Sequence, residues 1–223
     1  VADLTIEFTW AVSDSSRLQI GSGLSRAGYA DSCLPLDRDG LLSDLGGKAK
    51  GAIRQSAESL FRWLVANAPE ESNDDSTSTP PPGAVFRIFQ SSETNKFWRF
   101  DMPVFTSDAG FPTTWSNTAI DHESGVARTD TLRTKESWDN GAKIAMRISA
   151  FNLSVEPESK DWFDVLFLLM AIASTEQIGG GRGNGMGEVT LDDITVSDGV
   201  VDISLCADPE TLIALQKHLG ATV

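Results

Sequence analysis

The sequence predicts an α+β fold, an antiparallel sheet with helices packed on one face, compatible with a ferredoxin-like or RNA-recognition-like core. Three observations predict it. The chain opens on a strand-period segment, Leu4, Ile6, Phe8, Trp10 and Val12 alternating with more polar residues. Two long helical-period segments stand well apart, with strand-period segments between them. At 223 residues, 40% apolar and 22% charged, the chain suits one sizeable core, not a disordered chain or several ordinary domains.

Taken in order, residues 4–12 form the first strand, and the Gly/Ser/Asp-rich stretch 21–47 follows with many potential turns and almost no periodicity. From Lys48, the apolar residues Ile53, Ala57, Leu60, Phe61 and Leu64 recur at helical spacing, and Pro69 closes that helix. Residues 70–83, EESNDDSTSTPPPG, read as a disordered surface loop. Strands are expected over 84–90 and 97–105. The polar segment 106–141 is too long for an ordinary connection and reads as an insertion. Residues 142–153 form a strand and 161–177 an apolar helix capped by Asp161. A glycine cluster, 178–187, leads to a hairpin of 188–196 with 200–205, turning at Ser197-Asp198-Gly199. Asp208-Pro209-Glu210 caps and starts a last helix, which Gly220 ends.

Charge narrows the function classes. Eighteen Lys+Arg against 32 Asp+Glu leave a net charge of −14, a poor electrostatic partner for nucleic acid or anionic lipid if that charge is spread evenly. The longest apolar run, 165–173, is short of the ~20 residues a membrane helix needs. The first residues, with Asp3, lack the basic opening of a signal peptide. Cys33 and Cys206 fit no zinc or redox spacing and are expected as reduced, buried thiols of a cytoplasmic protein.

Three stretches carry the unusual chemistry. Six glycines fall within 179–187; their spacing and the helix–glycine–strand order match neither the dinucleotide nor the phosphate-loop signature. What remains is a loop whose backbone can approach a ligand closely, with Gly181, Arg182 and Gly183 at its centre. The second stretch, 21–54, holds Arg26 and then Lys48, Lys50 and Arg54 at a helix start. Cations there oppose the helix dipole, and a run of phosphates would compensate them. The third is the insertion, with Arg128, Arg133 and Lys135 available to phosphates. Two histidines in the whole chain give little support to a His-based triad or a multi-His metal site.

At these stretches the chain resembles the RAMP superfamily, specifically the repeated backbone subunit of type III (Csm/Cmr-type) CRISPR effector complexes. A Gly21-Ser22-Gly23 segment leads to Asp31 and the Asp37-Arg38-Asp39-Gly40 turn. A helix start over Gly46/Gly47 to Lys50-Gly51-Ala52-Ile53-Arg54 follows. The run from Ile120-Asp121-His122 to Arg128 is similar to that family's IDR-x-TG-x-A hairpin, with His122 in place of its arginine. The glycine loop before a strand completes the set. The resemblance spans about 20–191 and implies one RAMP-type domain over 1–223 whose insertion, about 106–141, is a projecting "thumb". It implies CRISPR RNA, target RNA, further copies of the same chain and other complex subunits as partners, and no membrane. Arg26, Lys48, Lys50, Arg54, Arg128, Arg133, Lys135 and the loop of Gly181, Arg182 and Gly183 would bind RNA. Asp31 would be the catalytic and metal-binding residue, holding a divalent ion such as Mg²⁺ where a member cuts target RNA, with Asp37 or Asp39 as fallback positions.

Divided by segment, the charge agrees with that implication. Residues 17–62, 117–147 and 179–187 hold 13 Lys+Arg and 10 Asp+Glu; the rest of the chain holds 5 and 22. Three readings stand at this point: a cleaving backbone subunit, a non-cleaving cap or stem subunit of such a complex, and an acidic structural or small-molecule-binding α+β protein.

Overall fold

The computed structural model describes residues 2–27, 29–38, 40, 42–43, 45–66, 83–89, 97–105, 112–139, 142–180, 185–197, 201 and 203–220. The fold is α+β, built on an antiparallel sheet. Strand β1 (Ala2–Val12) buries Leu4, Ile6, Phe8, Trp10 and Val12 on one face, as its period-two pattern requires. It pairs on one side with β7 (Lys143–Leu153) and on the other with β8 (Val189–Val196). The far edge of β7 carries two short strands, β3 (Phe97–Phe100) and β4 (Val104–Phe105). The expected strand over 97–105 is thus interrupted around Pro103, which has no N–H to give to a ladder.

Helices cover the buried face. Helix α1 (Gly46–Ala66) turns Ala49, Ala52, Ile53, Ala57, Phe61 and Leu64 inward. Helix α3 (Lys160–Ala173) is apolar nearly all round because other helices pack against it; residues 165–169 are fully buried. Its cap is Ser159, whose hydroxyl accepts from the Trp162 N–H at 3.2 Å, rather than the expected Asp161. Asp161 instead accepts from the Ser154 N–H at 2.7 Å. The helix stops at Ala173, short of 177, where the Ser174 N–H donates to the Met170 carbonyl and Thr175 Oγ1 to that of Ala171. Helix α4 (Pro209–Gly220) opens as expected: Asp208 Oδ2 accepts from the Thr211 N–H at 2.9 Å.

Two expected strands take other forms. Residues 83–89 make a helix, α2 (Gly83–Phe89), because Ala84, Val85, Ile88 and Phe89 share one buried helical stripe, and packing overrides the β propensity of Val, Ile and Phe. Residues 203–207 form a 3₁₀ turn against α3, with Cys206 Sγ 3.8 Å from the Leu166 carbonyl. The apolar residues there join the helical layer instead of pairing back on β8. Asp198 and Gly199 of the expected turn, Pro69, and the expected disordered loop up to residue 82 lie outside the described residues.

Within the insertion, β5 (Pro112–Asn117) and β6 (Arg133–Asp139) pair antiparallel, from Pro112 opposite Trp138 to Asn117 opposite Arg133. With β2 (Arg17–Leu18) on the other edge of β6 they form a second sheet. Cys33 is buried and Cys206 partly buried, both as free thiols. Among the described residues no helix is long and apolar enough to cross a membrane.

Candidate functional site

The stretch 22–34 has no periodicity because its backbone is held by specific hydrogen bonds, not by a ladder of its own. Arg26 and Ala30 exchange backbone hydrogen bonds at 2.8 and 3.0 Å, closing a tight turn. The Ser22 and Cys33 N–H groups, donating to the Cys33 and Leu24 carbonyls at 3.0 Å each, zip its limbs together. The outgoing limb then lies parallel on β6. The Asp31 N–H donates to the Thr134 carbonyl at 2.7 Å, and the Glu136 N–H to that of Ser32 at 2.9 Å.

Two carboxylates complete this join. Asp31 Oδ2 accepts from the Thr134 N–H at 2.7 Å, so its side chain stands in for a missing backbone acceptor. Oδ1 carries no hydrogen bond among the described residues, and the residue is exposed. Glu136 is only 6% exposed: its Oε2 accepts from the buried Leu34 N–H at 2.8 Å, and Oε1 faces Arg26 Nη1 at 4.0 Å. The first carboxylate offers an open oxygen; the second anchors the loop that carries it.

The predicted cations divide by how they are held. Arg26 lies over the Tyr29 ring at 5.3 Å, Lys50 over Phe100 at 4.9 Å and Lys135 over Trp115 at 6.0 Å. A ring orients a cation without cancelling its charge. Arg54 and Arg128 are instead paired with carboxylates, Glu58 at 2.8 Å and Asp121 at 3.6 Å. Lys48 and Arg133 are exposed. The join of the 22–34 stretch to β6 brings Arg26 and Asp31 into one groove with Leu132 and Thr134, while Arg133 and Lys135 lie on the same strand but do not line that groove. Lys48, Lys50 and Arg54 form a second group on the first turns of α1, which has no acidic residue in its first turn.

Arg128 lies at the hairpin tip. There Asp121 Oδ1 accepts from the Glu123 and Ser124 N–H groups and the Ser124 hydroxyl, and Ile120 bridges to Ala127. The Ser124 backbone and hydroxyl hydrogen bonds, more than Arg128, hold the Asp121 carboxyl below the usual carboxylate range.

Gly181, Arg182, Gly183 and Asp39 lie outside the described residues. The glycine loop's stem is described, and it is tightly built. The Ile178 N–H donates to the Gly187 carbonyl, the Gly187 N–H to that of Arg17, and the Gly180 N–H to that of Gln19, at 2.8, 2.7 and 2.7 Å. Gly187 sits at φ +73°, and a Cβ there would fall 1.9 Å from the Ile178 carbonyl oxygen, so only glycine fits.

Sequence reasoning missed Glu136, Thr134, Tyr29 and Trp115. Glu136 gave no signal, since a buried carboxylate on a polar strand looks like any other. Tyr29 gave one: it is the single tyrosine of the chain, set in a Gly/Ser/Asp-rich stretch.

Asp31 fits a divalent ion that keeps most of its waters and is completed by substrate phosphate, because one carboxylate oxygen is open and exposed. A dedicated all-protein cage is a different matter; no group of three or more His, Cys, Asp or Glu is placed to hold a metal among the described residues. No family model matches this chain, and no curated protein matches it either.

Proposed function

We propose that the chain is an RNA-binding backbone subunit of a cytoplasmic type III CRISPR effector complex, of the RAMP type, with a ferredoxin-like core and the insertion at about 106–141 as its thumb. One observation supports this most: the limb bearing Asp31 is laid along β6, at the foot of the hairpin bearing Arg133 and Lys135, with Arg26 on the same turn. An open carboxylate and a cation in one groove, with two further cations on the adjoining strand, suit a phosphodiester backbone.

In this reading the chain stacks with further copies of itself along CRISPR RNA, and Arg26, Lys50, Arg133 and Lys135 hold phosphates of guide or target. Asp31 Oδ1 would hold a divalent ion such as Mg²⁺, which when bound stabilises charge on the leaving oxygen. The cutting step is an internal transfer. The target's ribose 2′-oxygen bonds to the adjacent phosphorus, and the bond from phosphorus to the 5′-oxygen breaks. The 2′-hydroxyl gives up its proton and the 5′-oxygen gains one, leaving a cyclic phosphate and a 5′-hydroxyl. The chain's own part is to bind the backbone and fix its geometry around Asp31.

The test is Asp31→Asn in the assembled complex. The amide keeps an oxygen for the Thr134 N–H while removing the charge, so target cleavage should vanish with target affinity unchanged. Equal loss of both would overturn the catalytic role. A second reading, a non-cleaving subunit of the same kind, is favoured by one fact: Asp31 Oδ2 already serves the fold through Thr134. It predicts no cleavage products from the wild type. A preparation without co-purifying RNA, alone and in complex, would favour the acidic structural or small-molecule-binding reading.

A further inference from the structure

We infer that the cleft between the second half of α1 and the segment 174–177 is a binding site for an organic cation of the alkylammonium or guanidinium class, held between the Trp63 ring and the Glu176 carboxylate. This stands apart from the RNA-binding reading and uses none of its residues. The cleft has a volume of about 340 Å³. Gln55, Ser59 and Trp63, at successive turns of α1, line one wall; Ser174, Glu176 and Gln177, which follow α3, line the other.

The two walls are fixed to each other. Thr175, 2% exposed, donates its hydroxyl to the Ala171 carbonyl at 2.8 Å, and the same oxygen lies 3.1 Å from Ser56 Oγ on α1. The Glu176 carbonyl accepts from the Val189 N–H at 2.8 Å, which ties the segment to β8. A ligand entering this cleft therefore meets a formed site, with little chain left to order.

Three features select for positive charge. Trp63 is 58% exposed, unusual for so large an apolar ring, and the face of an indole attracts a cation. Glu176 is exposed and makes no ion pair among the described residues, whereas Glu58 elsewhere on α1 is already held by Arg54 at 2.8 Å. Ser174, the C-terminal cap of α3, brings the negative end of that helix dipole to the cleft, and the last turn of α3 carries no basic residue to offset it. None of the described lining residues is Lys, Arg or His. An anion is therefore disfavoured, and the overall charge of −14 raises the local concentration of cations. The Ser59 hydroxyl and the Gln177 amide supply acceptors for the N–H groups of the cation. A neutral sugar would find the ring and the hydroxyls but would draw nothing from the charge.

The experiment is an NMR titration of the full chain with its tryptophan indoles labelled with nitrogen-15, Trp63→Phe identifying the Trp63 signal. Ethylguanidinium and spermidine should each move that signal beyond a sodium chloride control of matched ionic strength. N-ethylurea, which has the shape of ethylguanidinium without its charge, should not, and neither should glucose. Trp63→Ala, read by calorimetry, should weaken binding about 2- to 30-fold, the range of one cation–π contact. Glu176→Gln should weaken it about 2- to 5-fold, as for an exposed ion pair. Both side chains are exposed, so an unchanged Tm checks that the variants fold. Tighter binding of spermidine than of acetyl-Gly-Arg-Gly-amide would support the site and make its source a free polyamine; the reverse order would support it as a socket for an arginine of another protein. Equal binding of N-ethylurea or glucose would overturn the cation and leave a neutral-ligand cleft. No response of Trp63 to any cation beyond the salt control would overturn the site, with the RNA-binding reading untouched.

Discussion

Glu136 is the carboxylate on which the Asp31 limb hangs. Glu136→Ala leaves the buried Leu34 N–H without its acceptor, which costs about 1–3 kcal/mol and loosens the limb at Leu34, while the bonds to Thr134 and to the residue-136 backbone still hold it on β6. Glu136→Gln restores an acceptor and should recover most of that stability in urea unfolding, while removing the charge that faces Arg26. Among the cations, those resting on rings should matter more than those already paired. Lys50→Ala and Lys135→Ala should each lower the log–log salt slope of RNA binding by about 0.7, one phosphate contact on a single strand. Arg128→Ala should lower it less, because Asp121 is ionised beside it. Titrations at several salt concentrations check the order.

Among elements, α2 is clipped to α3 by one ion pair. Arg87 Nε and Nη2 reach the two oxygens of Asp164 at 2.7 and 2.5 Å, and Asp164 is buried. Burial pushes the Asp164 carboxyl up from its ordinary value, and Arg87 offsets part of that. A folded value above the unfolded one means that its contribution favours the fold at acidic pH and weakens as pH rises beyond the ordinary carboxylate range. Arg87→Met should cost about 3–5 kcal/mol at neutral pH by stranding that carboxylate, and adding Asp164→Leu should recover much of it. The glycine loop obeys a different logic. Gly187→Ala should destabilise by about 1–3 kcal/mol, since its φ is positive and the Ile178 carbonyl occupies the Cβ position. Gly51→Ala, on the exposed side of α1 with nothing near, should stabilise by about 0.5–1 kcal/mol. Thermal denaturation of both variants separates a required glycine from a dispensable one.

For the whole molecule, the pH response has an acid-side component at His218. It stacks on Phe163 at 4.7 Å, and burial, then the charges of Arg87 and Lys160, lower its value. The unfolded chain therefore binds the proton first, and stability is lost as pH falls below about 6.5. His218→Phe keeps the stack and should flatten the Tm–pH curve there. Charge distribution sets the other global property. With 22 of 32 acidic residues outside the three candidate stretches, the isolated chain should bind random RNA weakly at physiological salt, even where specific contacts exist. Tight binding under those conditions would contradict the segregated charge.

The sequence alone determined the α+β class, β1 and β7 through their strict alternation, α1 through its apolar spacing, and the Asp208 cap of α4. These follow from local periodicity and capping, which are written in neighbouring residues. It also marked Asp31 and the cations. Only the tertiary structure decided that 83–89 is a helix, because its stripe of Ala84, Val85, Ile88 and Phe89 is buried and Arg87 finds Asp164 on α3. Only it could turn an aperiodic stretch into a fixed limb on β6, since Asp31–Thr134 and Leu34–Glu136 join residues about a hundred positions apart. Contacts at that separation leave no trace in local pattern; they exist once the core has brought both segments to one place.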